Sequence, residues 1–597
     1  MMFRLFQTAV PLPQSRHLAV LAVLAMAAAC SGAPRAEGPV AGPGAGDPAV
    51  QGEGSPFGDF LAARHAERIN DAVRAAELFE RTLRHSPDNP ALMRQTMHQM
   101  LAAGRVDDAA AVARRYIPHE SKSVIAGLTL AVADMAGRRT GAAAERLAKV
   151  PTTGLGGYFV PLTLAWARYA EGDTQAALKA LAPLAAMRGG QPFHDYHAAL
   201  ILDLAGDTVR AGEFFEKLSA NGFSGYSRFV ELAGGYWERN GAADKAREIY
   251  AAYLKSRPDA RVIETALARV AAAGKAARDV NDAYDGAAEG LFNLATLLSQ
   301  ENVPEIGMMV LQMALRLRPG FDAAQLLRGD ILASTARGLD AIAAYDKVST
   351  ASPLSWSARL HAAQLLDQAG KTNVAIARLR DMGREEPKRA DALIALGDLL
   401  RFKKRYPESV EAYDAAMARI GPLNERHWAL LYSRAISLER AKHWDRAESD
   451  FLKALEFQPN QPFVLNYLGY SWVEKRRHLD RALDMIEKAV RLRPNDGFIV
   501  DSLGWAHYQL KSFTRAVIYL ERAVELSPHD PTINDHLGDA YWRVGRQYEA
   551  RFQWSRALSL EPEPDEVSAI EKKLSDGLPA VGTKSQASDA KQERSGG

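Results

Sequence analysis

One spacing constrains this chain more than any other feature. Pro459, Pro494, Pro528 and Pro562 follow one another at intervals of 35, 34 and 34 residues. In register with them stand two columns of alanine: Ala447, Ala482, Ala516 and Ala550, then Ala454, Ala489, Ala523 and Ala557. Between the columns comes one large apolar residue, Phe451, Ile486, Leu520 or Trp554. Three of the four units also carry Leu-Gly, at Leu468-Gly469, Leu503-Gly504 and Leu537-Gly538. The small residues belong where helices cross too closely for a larger side chain, and the large residue fills the gap they leave. Proline closes the second helix of a unit because it cannot donate to the helical ladder and disfavours helix in the residue before it. No single unit can bury its apolar face alone, so neighbours stack into one continuous core.

The pattern, clearest from Trp428 to Pro562, resembles the tetratricopeptide repeat, two antiparallel helices per unit. The resemblance implies an all-α superhelical solenoid. Fainter units extend it toward the N-terminus, the first marked by Ala75, Phe79 and Pro87. Pairs of a turn glycine and an alanine follow at Gly104/Ala109, Gly137/Ala142, Gly172/Ala177 and Gly206/Ala211, and a fuller set at Gly234, Gly241, Ala246, Tyr250 and Pro258. The period blurs over 259–286, where an irregular connection is expected, and resumes with Ala314/Pro319 and Gly329/Ala341/Tyr345/Pro353. Counted this way the chain holds about fourteen helical hairpins. The expected organisation is a degenerate array over 57–280, a second array over 281–562, a capping helix over 563–578 and a polar, disordered tail over 579–597. In the capping helix Ile570, Leu574 and Leu578 form the inward stripe, with Glu571, Lys572 and Lys573 outward.

The N-terminus reads differently. Arg4 and Arg16 precede an apolar run from Leu18 to Ala29 that ends at Cys30, the single cysteine. The run is too short to span a bilayer and suits a signal-peptide core over 1–29. Ala27-Ala28-Ala29-Cys30 resembles the bacterial lipobox, in which the cysteine becomes the lipidated N-terminus, although Ala27 stands where leucine is commonest. By the sorting rule of enteric bacteria, Ser31 after the cysteine favours the outer membrane. Cleavage after Ala29 without lipidation, leaving a free periplasmic protein, is the alternative. Residues 30–56, rich in Gly, Pro and Ala, read as a flexible tether behind the lipidated cysteine.

Chemistry finds little room. With 74 basic and 72 acidic residues the net charge is +2, so no overall field attracts nucleic acid. One cysteine supports neither a disulfide framework nor a thiolate metal site. His194 and His197, in FHDYH, lack a third ligand or an HExxH context. Once the repeats are assigned, no stretch the size of a catalytic domain remains. A non-enzymatic protein without cofactor or metal is expected.

In this repeat class the first helix of each hairpin lines a concave face, and positions 2, 5, 9, 12 and 13 commonly meet ligand. Counting from Pro462, Gly497 and Pro531, these columns hold Phe463, Asn466, Tyr470 and Glu474. The next unit supplies Phe498, Asp501, Trp505 and Tyr508, and the last Asp535, Asp539, Trp542 and Arg543. Aromatic residues with a few polar groups on a concave wall suit peptide recognition. The acidic position 5 disfavours an incoming carboxylate and favours a backbone or basic segment.

The stretches YSRAISLERAKHWDRAESDFLKALEFQPNQPFVLNYLGYSWVEK, IVDSLGWAHY and INDHLGDAYWRVGRQYEARFQWSRAL resemble the large tetratricopeptide lipoproteins of Gram-negative bacteria. That family includes an outer-membrane adaptor of periplasmic carboxyl-terminal processing proteases, which brings cell-wall hydrolases to the protease. The resemblance implies a non-catalytic scaffold on the periplasmic side of the outer membrane, with a protease and envelope proteins as partners. An assembly factor for a secretion, pilus or polysaccharide-export machine fits the same residues.

Overall fold

The computed structural model describes residues 55–222 and 225–579. Cys30, the signal segment, nearly all of the tether and the tail beyond Pro579 lie outside the described residues. Within them stand thirty α-helices and no strand, and no helix is long and apolar enough to cross a membrane. Fourteen helical hairpins can be counted among them, with one extra helix, Arg261–Ala271, and a terminal helix, Pro564–Asp576. The chain divides into two compact units, the first ending at Arg378 and the second starting at Leu379.

The second unit realises the repeat landmarks. All eight landmark alanines are fully buried, as are Phe451, Ile486, Leu520 and Trp554 between them. The reason glycine recurs is geometric. A β-carbon on Gly469 would stand 2.7 Å from Ile486, one on Gly504 2.6 Å from Leu520, and one on Gly538 2.5 Å from Trp554. The small residue of the first helix and the large residue of the second occupy a single space. First helices open on side-chain caps: Asp496 accepts from the Ile499 amide, and Asp530 from those of Thr532 and Ile533, ahead of Pro531.

The first unit opens with six hairpins, from Pro56–Arg68 with Ala72–His85 to Ser227–Arg239 with Ala243–Ser256. The stretch expected to be irregular contains Arg261–Ala271, which packs on the two helices before it, and then the non-helical residues 272–282. The next hairpin, Ala283–Gln300 with Pro304–Leu317, does more than extend a stack. Its first helix packs on Gly156–Ala170 and Gln191–Ala205, and its second on Pro90–Ala102 and Val124–Ala136. All four are first helices of earlier hairpins, so this hairpin lies against their shared face.

Its sequence is built for that position. Gly286 and Gly290 let the helix approach Trp166 and His197, and every residue from Gly307 to Leu315 is buried. A helix that is buried all round belongs inside a protein, not on its surface. Polar groups close the contact. Tyr196 donates to Glu289 at 2.9 Å, Arg228 pairs with Glu289 at 2.6 Å, and Gln312 donates to the Ala102 carbonyl at 3.3 Å. Asp279, in the non-helical stretch, is shared by Arg228 and Arg318. These arginines hold the Asp279 carboxyl below the ordinary range against the opposing effect of burial. The first-helix face of the early repeats is therefore filled by the chain itself.

Candidate functional site

In the second unit the first helices enclose an open cavity of about 430 Å³. Its lining includes Tyr467, Tyr470 and Glu474 from Pro462–Glu474, Phe498, Asp501 and Trp505 from Gly497–Gln509, and His536 from Pro531–Arg543. Glu439 and Arg440 bound it on one side and Glu566, from the terminal helix, on the other. Helical spacing explains the selection, since residues four apart share a face.

Trp505 is the centre of the wall. Its ring stacks on His536 at 3.8 Å between centroids and on Tyr508 at 4.7 Å, both nearly parallel. Its indole N–H donates to Glu474 at 2.6 Å. Beneath the stack, His536 Nδ1 lies 3.0 Å from Asp501, and both residues are buried. Burial raises the Asp501 carboxyl and by itself would lower the His536 imidazole. The adjacent carboxylate reverses the effect on the imidazole, whose pKa ends above its ordinary value. Burial, followed by the Glu474 and Asp501 carboxylates, keeps the Tyr470 phenol protonated and able to donate.

The next repeat differs. Lys573 of the terminal helix pairs with Asp535 at 2.7 Å and with Asp539 at 2.8 Å. Burial lowers the ammonium's pKa, and the two carboxylates more than restore it. Trp554 donates to Asp539 at 2.9 Å from within the core. Trp542 donates to the Leu578 carbonyl and Arg543 to the Pro579 carbonyl, so the chain after the terminal helix covers both.

Residues 360–425 and 474–531 match the tetratricopeptide repeat family. These two stretches carry tetratricopeptide repeats. No curated protein matches it. Among solved structures it is similar to a tetratricopeptide repeat protein from Parabacteroides merdae, at 14% identity over 43% of this chain and 99% of that one, TM-score 0.36. It is similar to MamA from Desulfovibrio magneticus at 20% identity, over 29% of this chain and 94% of that one, TM-score 0.25. The Cut9–Hcn1 hetero-tetramer of the APC/C is similar at 15% identity, over 88% of this chain and 97% of that one, TM-score 0.35. Tetratricopeptide arrays stack repeats to present extended surfaces to other proteins, and this chain is built as such a scaffold.

Within the tetratricopeptide frame, the candidate residues fall into three groups. Tyr470, Phe498, Asp501 and Trp505 line the open cavity, and Tyr508 joins it through its stack on Trp505. Asp535, Asp539, Trp542 and Arg543 are instead engaged by the terminal helix and the residues after it. Lys573, expected to face outward, supplies their counter-charge. Phe463 stands apart, half-buried beneath the Arg493 guanidinium, and Asn466 is buried with neither amide atom hydrogen-bonded. Sequence reasoning missed Glu439, Arg440, Tyr467, His536 and Glu566. His536 carried a signal, a histidine 35 residues after Asp501 and next to the expected column. His194 and His197 do not share a site: His197 accepts from the Trp166 indole at 3.1 Å, and His194 lies against Asp195.

Proposed function

We propose that this chain is an adaptor tethered to the outer membrane through Cys30, bringing a periplasmic carboxyl-terminal processing protease together with cell-envelope substrates. One observation carries the binding part. The open cavity of the second unit sets four aromatic rings, Tyr467, Tyr470, Phe498 and Trp505, among four carboxylates, Glu439, Glu474, Asp501 and Glu566. Arg440 and His536 offset only part of that charge. Such a wall favours an extended segment that presents lysine or arginine beside apolar side chains. The first-helix face of the early repeats is packed by the 283–317 hairpin. The lipobox-like Ala27–Cys30 and the likeness to tetratricopeptide lipoproteins support the location and the kind of partner.

The mechanism needs no chemistry from the scaffold. Holding protease and substrate on one tethered body converts their encounter into an event at high effective concentration. Replacing Cys30→Ala tests the anchor: the variant is expected in the soluble periplasmic fraction, and retention in the membrane fraction would refute it. A peptide carrying lysines beside an aromatic residue should bind the chain and lose affinity on Trp505→Ala with the helical circular dichroism unchanged. Undiminished binding would remove the cavity from the account.

A further inference from the structure

We propose that the outer face of the last hairpin is a second docking surface, fitted to an acidic protein segment with apolar anchors. This goes beyond the cavity reading and does not depend on it. The helix Gln547–Ser559 turns Ala550, Trp554 and Ala557 into the core. On its opposite side Tyr548 is 91% exposed and Phe552, one turn later, 66% exposed. The repeat register shows how unusual that is. Two residues before the first alanine column stand Asp445, Asp480 and Thr514 in the earlier units, and Tyr548 in the last. Two residues after it stand Ser449 and Asp484, then Ile518, itself 60% exposed, and Phe552. Terminal repeats ordinarily have the more polar outer face, because solubility requires it. Here the exposed positions become apolar toward the end of the array.

The surrounding charge selects the partner. Glu521, Glu525 and Glu549 are each paired with an arginine, at 2.9, 2.9 and 3.0 Å. Arg515, Arg551 and Arg556 have no carboxylate partner among the described residues; Arg551 donates to the Leu574 carbonyl and Arg556 contacts the His529 ring. Tyrosine and arginine dominate the energetics of protein interfaces, and guanidinium groups without a carboxylate partner, on the helix that carries the exposed rings and on the second helix of the preceding repeat, complement carboxylates flanking an apolar anchor. A bilayer fits less well. An interfacial helix submerges a continuous apolar face, whereas this helix offers two anchors and keeps its other side in the core. The surface has the opposite charge preference to the cavity, so the two would take different partners, as an adaptor requires.

The test is a random peptide display library selected on the full mature chain carrying Cys30→Ala and counter-selected on the Tyr548→Ser/Phe552→Ser double variant. Enriched peptides should be acidic with aromatic or aliphatic anchors. Synthesised, they should lose about tenfold or more in affinity on the double variant and keep it on Trp505→Ala. No enrichment, or enrichment of neutral or basic peptides, would overturn the proposal. Flotation with phosphatidylglycerol vesicles that disappears in the double variant would reassign the face to lipid. A concentration-dependent dimer in sedimentation that the double variant abolishes would reassign it to a second copy of the chain.

Discussion

Gly286 lies so close to the indole of Trp166 that a β-carbon on it would stand 2.3 Å from the ring. The contact joins the hairpin after residue 282 to the fourth hairpin of the first unit, and it fixes the sign of a simple substitution. On an exposed helix, glycine to alanine stabilises by about 0.5–1 kcal/mol. Here Gly286→Ala must displace a buried tryptophan, and the expected result is a loss of about 1–3 kcal/mol. Thermal melts of the two proteins decide the matter by direction alone, and a higher melting temperature would place that hairpin elsewhere.

The second-unit repeats were legible because their constraint is local and repeated. A glycine in one helix and a large residue in the next fill one space, so the pairing recurs in register, as Gly504 with Leu520 shows. The packing of the 283–317 hairpin on earlier repeats was not, because Ala314 and Pro319 fit the same period whether a hairpin extends a stack or lies across one. A usable signal was the run Met308 to Leu315, too uniformly apolar for a helix with an exposed side. The Lys573 clamp was hidden for another reason. Its position on the terminal helix looks outward from the stripe Ile570, Leu574 and Leu578, and only the acidic pair Asp535 and Asp539 from another helix draws it in.

Stability should depend on pH through the buried Asp501–His536 pair. The folded imidazole has a raised pKa, so its contribution is fully present below the ordinary histidine value and is lost as pH rises through the folded one. His98 and His197 act in the opposite sense. Burial lowers them to about 4 and about 3, so they cost stability as pH falls below the ordinary value. Near the ordinary histidine value these groups oppose His536; above about pH 7.5, where they are neutral in both states, the melting temperature should decline with pH because of His536. In His536→Asn that decline should flatten, on a lower overall stability. An unchanged slope would show that the pair carries no proton.

Lys573 ties the terminal helix to the last repeat. Removing it as Lys573→Ala leaves two carboxylates, Asp535 and Asp539, close together and largely buried, with an expected cost of about 3 kcal/mol. Adding Asp535→Asn and Asp539→Asn should recover part of that loss. Urea unfolding of the three proteins measures it. If the triple variant is no more stable than the single one, the clamp is not electrostatic.

The adaptor account is tested most directly by capture. Mature chain, with and without Tyr470→Ala/Trp505→Ala, is used to retrieve proteins from detergent-solubilised envelope, which are then identified by mass spectrometry. The account predicts a carboxyl-terminal processing protease together with cell-wall hydrolases, with at least one of these lost from the double variant while its helical circular dichroism is unchanged. Retrieval of secretin or exporter subunits instead, or a set of partners indifferent to both substitutions, would contradict it.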